Sequence, residues 1–501
     1  MSSNLDKSKN TLVRKNYIFN LLYQIFLVIV PLIVTPYVSR TLSPEGIGQY
    51  GFSYSLITYF TIIGSLGFGF YAQREIAMHQ NDYEKQSKIF WEINLCRFVF
   101  VAISMALNFI LCFLNVYKQY TDLMLVFSIN IFALAFDISF FFQGNEQFGK
   151  LVLRNVIIKT ISIILIFTLV KEKNDLLIYA IINSLMLIVS NLSLWTYLPK
   201  ILKKVKINSL RPFRHLKGTL RLFIPTIAST IYTVLDRTLL GLIINENYIV
   251  IENGVEVIKR YADLEIGYYE QSEKLVKMAL TVITCLSAVM ISRNTDEIAK
   301  GNDEQVKTNI YGAFNLIWLI GLPMCVGMAS ISDFIVPWFY GDGYEKCSIL
   351  ISIFSILILA IGISNIFGLH FLIPYGEDNK FSLALILGAV INLVLNAILI
   401  PFYWSVGATI ASVIAELSIS IIMYFMVRNR ISIKKCFSNI WKYLLASLLM
   451  LIVILIMKYY ISISFINTLL IIIASVLVYF LTLVILREKN ILMLLIKLKR
   501  K

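Results

Sequence analysis

PKILKKVKINSLRPFRHLKGTLR, residues 199–221, holds eight basic residues (Lys200, Lys203, Lys204, Lys206, Arg211, Arg214, Lys217 and Arg221) and not one acid. On both sides of it the chain is dominated by apolar runs. A helix needs about 20 mainly apolar residues to cross ~30 Å of hydrocarbon. Six stretches of that kind precede the basic segment, near 17–39, 47–70, 89–114, 121–142, 151–170 and 176–198. Eight follow it, near 220–244, 267–292, 309–331, 347–373, 381–402, 405–427, 441–460 and 463–486. The pattern predicts an all-α integral membrane protein of about 14 transmembrane helices. It comprises two pseudo-symmetric six-helix lobes around a central cavity, plus two C-terminal helices. The expected divisions are 1–198 for the first lobe, 199–219 for a basic cytoplasmic linker, 220–428 for the second lobe, 429–486 for the added pair and 487–501 for a basic tail.

Composition agrees with that count. Of the 501 residues 58% are hydrophobic and 15% charged, against about 45–50% and a quarter in soluble domains. Fourteen spans use about 280 apolar residues, which leaves almost nothing for a water-soluble domain. The 45 Lys and Arg exceed the 30 Asp and Glu by 15. In a soluble chain that surplus suggests nucleic acid, but here its placement gives another answer. With alternating spans, 32 of the 45 basic residues fall on the side of the N-terminus and the linker. Ten fall opposite (Arg40, Lys118, Lys171, Lys173, Lys259, Arg260, Lys274, Lys277, Lys346 and Lys458), and Arg97, Lys159 and Arg237 lie within spans. The positive-inside rule then places both termini in the cytoplasm. No nucleic-acid partner is expected. The tail is expected to lie on the anionic inner surface, and the polar, basic start of the chain reads as leading into a retained first span.

Catalytic and metal chemistry find no footing. The cysteines (Cys96, Cys112, Cys285, Cys325, Cys347 and Cys436) lie in or beside apolar runs without CxxC spacing, and His79, His215 and His370 are scattered. No metal site, cofactor or enzymatic activity is expected, and no GxxxxGK[ST] motif offers an ATP site.

The halves carry traces of one repeat. Ile47, Gly48, Tyr50, Ser53 and Leu56 recur 219 residues later as Ile266, Gly267, Tyr269, Ser272 and Leu275, and the same offset carries Arg74 onto Arg293. Upstream, Ser39-Arg40-Thr41-Leu42 matches Asp236-Arg237-Thr238-Leu239 at an offset of 197, which makes the acidic loop after span seven a 22-residue insertion. Parallel repeats of this kind suit alternating access.

Charges at bilayer depth are functional candidates because each costs several kcal/mol unless it faces polar surroundings. Arg97 and Lys159, about eight residues into spans three and five, are candidates for pairing with a phosphate group; snorkelling is the alternative. Arg40 and Arg237 are expected near the outer mouth and Arg74 and Arg293 near the inner one, guiding an anion or anchoring the interface. Glu416, Asp137 and Asp236 are candidates for binding a coupling ion. Glu416 alternatively fixes helix packing, and Asp137 alternatively pairs with Arg97 or Lys159. Pro31, Pro36 and Pro225 are expected to interrupt spans one and seven.

Lys15-Asn16-Tyr17 through Thr35-Pro36-Tyr37-Val38-Ser39-Arg40 and Gly46-Ile47-Gly48, with Gln73-Arg74-Glu75-Ile76-Ala77, Phe142-Gln143-Gly144-Asn145-Glu146, Leu153-Arg154-Asn155, Leu235-Asp236-Arg237-Thr238, Ile266-Gly267-Tyr268-Tyr269 and Leu372-Ile373-Pro374-Tyr375-Gly376, resembles the oligosaccharide repeat-unit flippases of the polysaccharide transport family. They belong to a superfamily shared with multidrug extruders and peptidoglycan lipid flippases. The chain departs from the family pattern at Ile291-Ser292-Arg293, where a Pro-Arg pair is common. The resemblance implies translocation of an undecaprenyl-pyrophosphate-linked oligosaccharide from the inner to the outer leaflet of the bacterial plasma membrane, for O-antigen, capsule or exopolysaccharide. Implied partners are H+ or Na+ as coupling ion, membrane lipids, and polysaccharide polymerase and assembly proteins. The alternatives are a cation-coupled drug antiporter of the same fold and, less in keeping with the acidic, histidine-free outer loop, a membrane polysaccharide polymerase.

Overall fold

The computed structural model describes residues 2–80, 82–198, 202–252, 255–284, 287–488 and 491. The chain forms two compact units, Met1–Thr238 and Leu239–Lys501, whose boundary falls inside one helix. The N-terminal unit contains α1 (Ser2–Ser65), α2 (Phe68–Met78), α3 (Tyr83–Phe113), α4 (Thr121–Ala135), α5 (Ser139–Gly144), α6 (Phe148–Leu169), α7 (Leu176–Trp195) and most of α8 (Leu216–Ile243). The C-terminal unit continues with β1 (Asn247–Glu252), β2 (Val255–Arg260), α9 (Tyr261–Thr284), α10 (Ser287–Ala299), α11 (Asp303–Leu316), α12 (Leu322–Phe339), α13 (Cys347–Phe354), α14 (Leu357–Phe367), α15 (Asp378–Val427), α16 (Ile433–Cys436), α17 (Ile440–Tyr460) and α18 (Phe465–Ile485).

Among the described residues, ten helical stretches have the length and hydropathy to cross a membrane. Two of them, Ile29–Met78 and Asp378–Val427, run 50 residues each, ~75 Å at 1.5 Å per residue and more than twice the hydrocarbon thickness. Each is broken, the first towards its N-terminal end at Ser43 (φ 61°, ψ 167°) and the second near its middle at Trp404 (φ 51°, ψ −126°), and so makes two crossings. Pro44 explains the first break. Proline disfavours the helical conformation in the residue before it, and its missing N–H suits the first position of a new helix. At the second, the buried Glu265 carboxylate accepts the backbone N–H of Ser405 at 3.1 Å and the Ser405 hydroxyl, capping the restarted helix from α9. Lys346 holds the same carboxylate at 2.7 Å. Helices α8 and α9, which carry Asp236, Arg237, Asp263, Glu265, Glu270 and Glu273, bring the crossings among the described residues to fourteen.

Two expectations are corrected. Helix α1 runs through Pro31 and Pro36 and breaks only at Ser43, and the α8 backbone continues past position 225. A proline that keeps helical φ in the preceding turn removes one hydrogen bond without ending the helix. The insertion after α8 is an antiparallel hairpin with Asn247 opposite Arg260 and Ile249 opposite Ile258. Two β-branched runs around Asn253-Gly254 are its sequence signal. Arg260 reaches back to the carbonyls of Gly241 (2.7 Å) and Ile244 (3.2 Å), neutralising the last turn of α8. The tail expected on the inner surface lies outside the described residues beyond Glu488, apart from Ile491.

Within the N-terminal unit, α4 packs on α7, α6 on α7, α1 on α3, α4 and α6, and α2 on α5. The α2–α5 contact requires Gly144: a Cβ there would lie 2.8 Å from the Gln73 carbonyl oxygen and 2.9 Å from Ile76. Gln80 donates to the Gly144 carbonyl at 2.7 Å, and Gln86 donates to Asn145 Oδ1 at 2.9 Å. Two of the quoted motifs, around Gln73 and around Gly144, therefore meet in space. In the C-terminal unit α17 and α18 pack on each other and α17 on α12, with Trp338 of α12 donating to Thr468 at 3.0 Å.

The basic segment is anchored by one carboxylate. Glu92 of α3 is fully buried and accepts the Arg211 backbone N–H at 2.8 Å, the Arg214 guanidinium at 2.6 Å and His215 Nε2 at 3.0 Å. His215 Nδ1 faces the Tyr71 hydroxyl at 2.9 Å. Burial, aided by Arg214, holds the imidazole pKa below its ordinary value, against the opposing pull of Glu92.

Candidate substrate cavity

Helix α6 presents Asn155, Lys159 and Ser162 at i, i+4 and i+7, a spacing that puts all three on one face. Helix α7 presents Asn183 and Ser190 seven residues apart. These residues line a cavity of 290 Å³ within the N-terminal unit, closed by Phe26, Ile158, Met186 and Leu187. Arg154 steadies its wall, donating to Asn155 Oδ1 at 3.0 and 2.8 Å and to the Ser190 carbonyl at 3.4 Å. Lys159 is eleven residues from the start of α6 and ten from its end, about 15 Å from either. A lysine that snorkels gains roughly two turns at most, so from mid-helix it reaches neither end. Among the described residues no carboxylate bears on it. An ammonium in this position needs polar company, and the amides and hydroxyls around it supply that.

Beyond the end of α6 a wider cavity of 670 Å³ is lined by Pro36, Tyr37, Arg40, Thr41, Lys171, Glu172 and Lys173. Three cations face one glutamate there. Tyr37 fastens α1 to this end of α6 by donating to the Val170 carbonyl at 2.6 Å, and its ring stacks on Phe167 at 4.3 Å. The Lys171 ammonium lies 6.0 Å from the Tyr37 ring centre. Arg40 thus lies in a basic pocket beyond the end of α6, whereas Lys159 lies near the middle of that helix.

The other candidates are dispersed. Arg97 is buried, with 4% of its surface exposed. It donates to the Asp137 backbone carbonyl and, at 3.5 Å, to that of Leu134, just where α4 ends, and lies 5.0 Å from the Phe140 ring centre. It lines none of the cavities described here. The Asp137 carboxylate accepts the Ser139 N–H at 2.9 Å, at the start of α5. Asp137 thus meets Arg97 through its backbone carbonyl and, electrostatically, through its carboxylate, which also supports a helix start. Arg74 is exposed on α2, and Arg237 is half-buried with its guanidinium 3.1 Å from the Thr233 carbonyl. Asp236 is buried close enough to Tyr59 to act on it electrostatically. Arg293 lies on α10 at a cavity of the C-terminal unit, and Glu416 is half-buried in the second half of α15.

Asn155, Ser162, Asn183, Ser190 and Glu92 were not singled out from sequence as lining or anchoring residues. A periodicity test for polar residues on apolar helices would have found the first four. Among the described residues no group of three or more His, Cys, Asp or Glu could hold a metal.

The fold and this polar, cationic cavity define an all-α multi-pass membrane protein built like a transporter. The chain belongs to the polysaccharide biosynthesis protein family, whose model matches residues 13–291, more than half its length. The "Putative O-antigen transporter" of Escherichia coli (strain K12) is 24% identical over 422 residues, covering 83% of this chain and 97% of that protein. Its namesake from Shigella dysenteriae is 24% identical over 402 residues, 78% and 94% of the two chains. Among solved structures, the lipid II flippase MurJ in its inward closed conformation superposes with a TM-score of 0.68 at 17% identity, over 95% of this chain and all of that one. An inward-facing multidrug resistance MATE family transporter of the MOP superfamily gives 0.60 at 16% identity, over 84% and 99%. At such identities the structural likeness speaks for the fold alone.

Proposed function

We propose that the protein is a flippase. It carries an undecaprenyl-pyrophosphate-linked oligosaccharide repeat unit from the inner to the outer leaflet of the bacterial plasma membrane by alternating access, for surface polysaccharide assembly, with both termini in the cytoplasm. One observation carries the reading: a mid-span ammonium, Lys159, without a carboxylate partner among the described residues, in a cavity where two amides and two hydroxyls stand beside Phe26, Ile158, Met186 and Leu187. Neither a pyrophosphate nor a glycan crosses hydrocarbon unaided. Lys159 attracts the pyrophosphate, Asn155, Ser162, Asn183 and Ser190 hydrogen-bond hydroxyls, and Arg40, Lys171 and Lys173 draw the anion towards the outer mouth. The prenyl tail stays in lipid. The relatives named as O-antigen transporters and the fold shared with a lipid II flippase support this substrate class.

Transport rather than catalysis is the activity we assign. Its energy comes from a gradient or from the membrane potential, worth about 2.3 kcal/mol per charge per 100 mV. Glu416 and Asp236 are the acids we assign to H+ or Na+ coupling, whereas Asp137 is occupied structurally. The MATE likeness keeps a cation-coupled drug antiporter as the second reading, and its mark is transport that needs those acids and is indifferent to Lys159. Removing the protein from its host tests the first: lipid-linked repeat units should accumulate in the inner leaflet. Repeat units that still reach the outer leaflet at the normal rate contradict it.

A further inference from the structure

A cavity of 240 Å³ lies wholly within the C-terminal unit, between the α9–α10 segment, α11 and α14. It spans Ile317 back to Thr308 and Gly362 to His370, ~12 to 14 Å along each of these walls, with Ile283, Thr284, Ser287, Met290 and Arg293 on the third. Its two ends differ in chemistry. At one, Ile283 and Ile317 close around Gly362, where a Cβ would lie 3.0 Å from Ile317 and 3.7 Å from Ile283. At the other, His370 Nε2 meets the Ser287 hydroxyl at 3.0 Å, its carbonyl accepts from Asn294 at 2.7 Å, and Asn294 accepts from Asn309 at 2.9 Å. Arg293 and Thr308 complete this polar end.

His370 is the observation that points to a ligand. Its side chain borders the cavity with 6% of the residue exposed, and Nδ1 has no hydrogen-bond partner among the described residues. A buried polar atom left unmatched costs about 1–3 kcal/mol. The same lining holds a guanidinium, that of Arg293, the group best shaped for phosphate oxygens.

We propose that this cavity binds a phosphate-bearing amphiphile, its phosphate between Arg293 and His370 and the first carbons of its chain towards Ile283 and Ile317. The volume equals about eight waters, room for a phosphate group and a few methylenes. Both a bilayer phospholipid and a polyprenyl phosphate have this chemistry. The site is independent of the Lys159 cavity, so its failure would leave the flippase reading untouched.

The test is thermal unfolding of the full chain in a phosphate-free alkyl maltoside detergent, titrated with n-decyl phosphate. Wild type should be stabilised, with neither n-decanol nor inorganic phosphate matching the effect. Arg293→Gln should weaken binding about tenfold or more. Gly312→Leu should abolish it by filling the cavity, because an added Cβ at this lining position meets nothing within 4 Å and the fold need not shift. Displacement by a polyprenyl phosphate or by phosphatidylglycerol supports the proposal and tells which source occupies the site; displacement by neither overturns it. Equal stabilisation by n-decanol or by inorganic phosphate also overturns it. If Arg293→Gln does not fold, undiminished binding by Gly312→Leu does the same.

Discussion

Around Arg97 the chain builds a closed contact: two backbone carbonyls from the end of α4, the nearby Asp137 carboxylate and the rings of Phe68 and Phe140 surround the guanidinium. Around Lys159, in the same unit, it leaves a 290 Å³ space where two amides and two hydroxyls stand beside apolar side chains. From sequence the two cations look alike, each about eight residues into an apolar run. The difference teaches that depth identifies a costly charge, and only its surroundings tell whether the fold or a ligand compensates it. Arg97 serves as a cap for a helix that ends inside the unit, whereas Lys159 has been left available.

The two should therefore separate stability from transport. Arg97→Ala leaves buried carbonyls unmatched and a void, lowering unfolding stability by about 2–4 kcal/mol. Its folded fraction should transport normally. Chemical unfolding in detergent together with transport per folded molecule measures both, and loss of transport at unchanged stability would break the contrast. Lys159→Gln should do the reverse: unchanged or slightly raised stability, with transport reduced about tenfold or more and restored in part by Lys159→Arg.

Smaller effects sharpen the picture at the ends of the unit. Replacing Arg40, Lys171 and Lys173 together by Gln should slow transport about two- to threefold at low salt and less at high salt, because exposed charges are screened. A salt-independent loss would point to direct binding. At the basic segment, His215 is held neutral by burial. The unfolded chain therefore takes up its proton first, and stability falls as pH drops below the ordinary histidine value, about 6.5. Thermal unfolding between roughly pH 7 and pH 5.5 should show a steeper decline for wild type than for His215→Gln.

Much of the architecture was legible because it rests on local quantities. Run length and the bias of basic residues gave fourteen crossings, and Pro44 and the Asn253-Gly254 pair mark a break and a hairpin in plain view. The site was legible in part. Lys159 and Arg40 stand out by charge, but Asn155, Ser162, Asn183 and Ser190 carry none and are lost among Ile and Leu unless their helical spacing is tested. For Arg97 the pairing with Asp137 stood as one alternative, but the carbonyl cap did not: Leu134 and Asp137 are 37 and 40 residues away, and the stop of α4 that exposes their carbonyls is a tertiary event. Glu92 likewise sits early in an apolar span, and only packing brings the Arg211–His215 segment onto it.

The central claim is that Lys159 faces a water-filled, ligand-accessible space and Arg97 does not. It is tested most directly by Lys159→Cys and Arg97→Cys in a background with the six native cysteines replaced by alanine. Each is exposed to a membrane-impermeant thiol reagent with and without saturating polyprenyl-pyrophosphate-linked oligosaccharide. The account predicts that the thiol at 159 reacts and is protected by the lipid-linked sugar, while the thiol at 97 is inert in both conditions. An unreactive thiol at 159, or one labelled equally fast with the sugar lipid present, would contradict it.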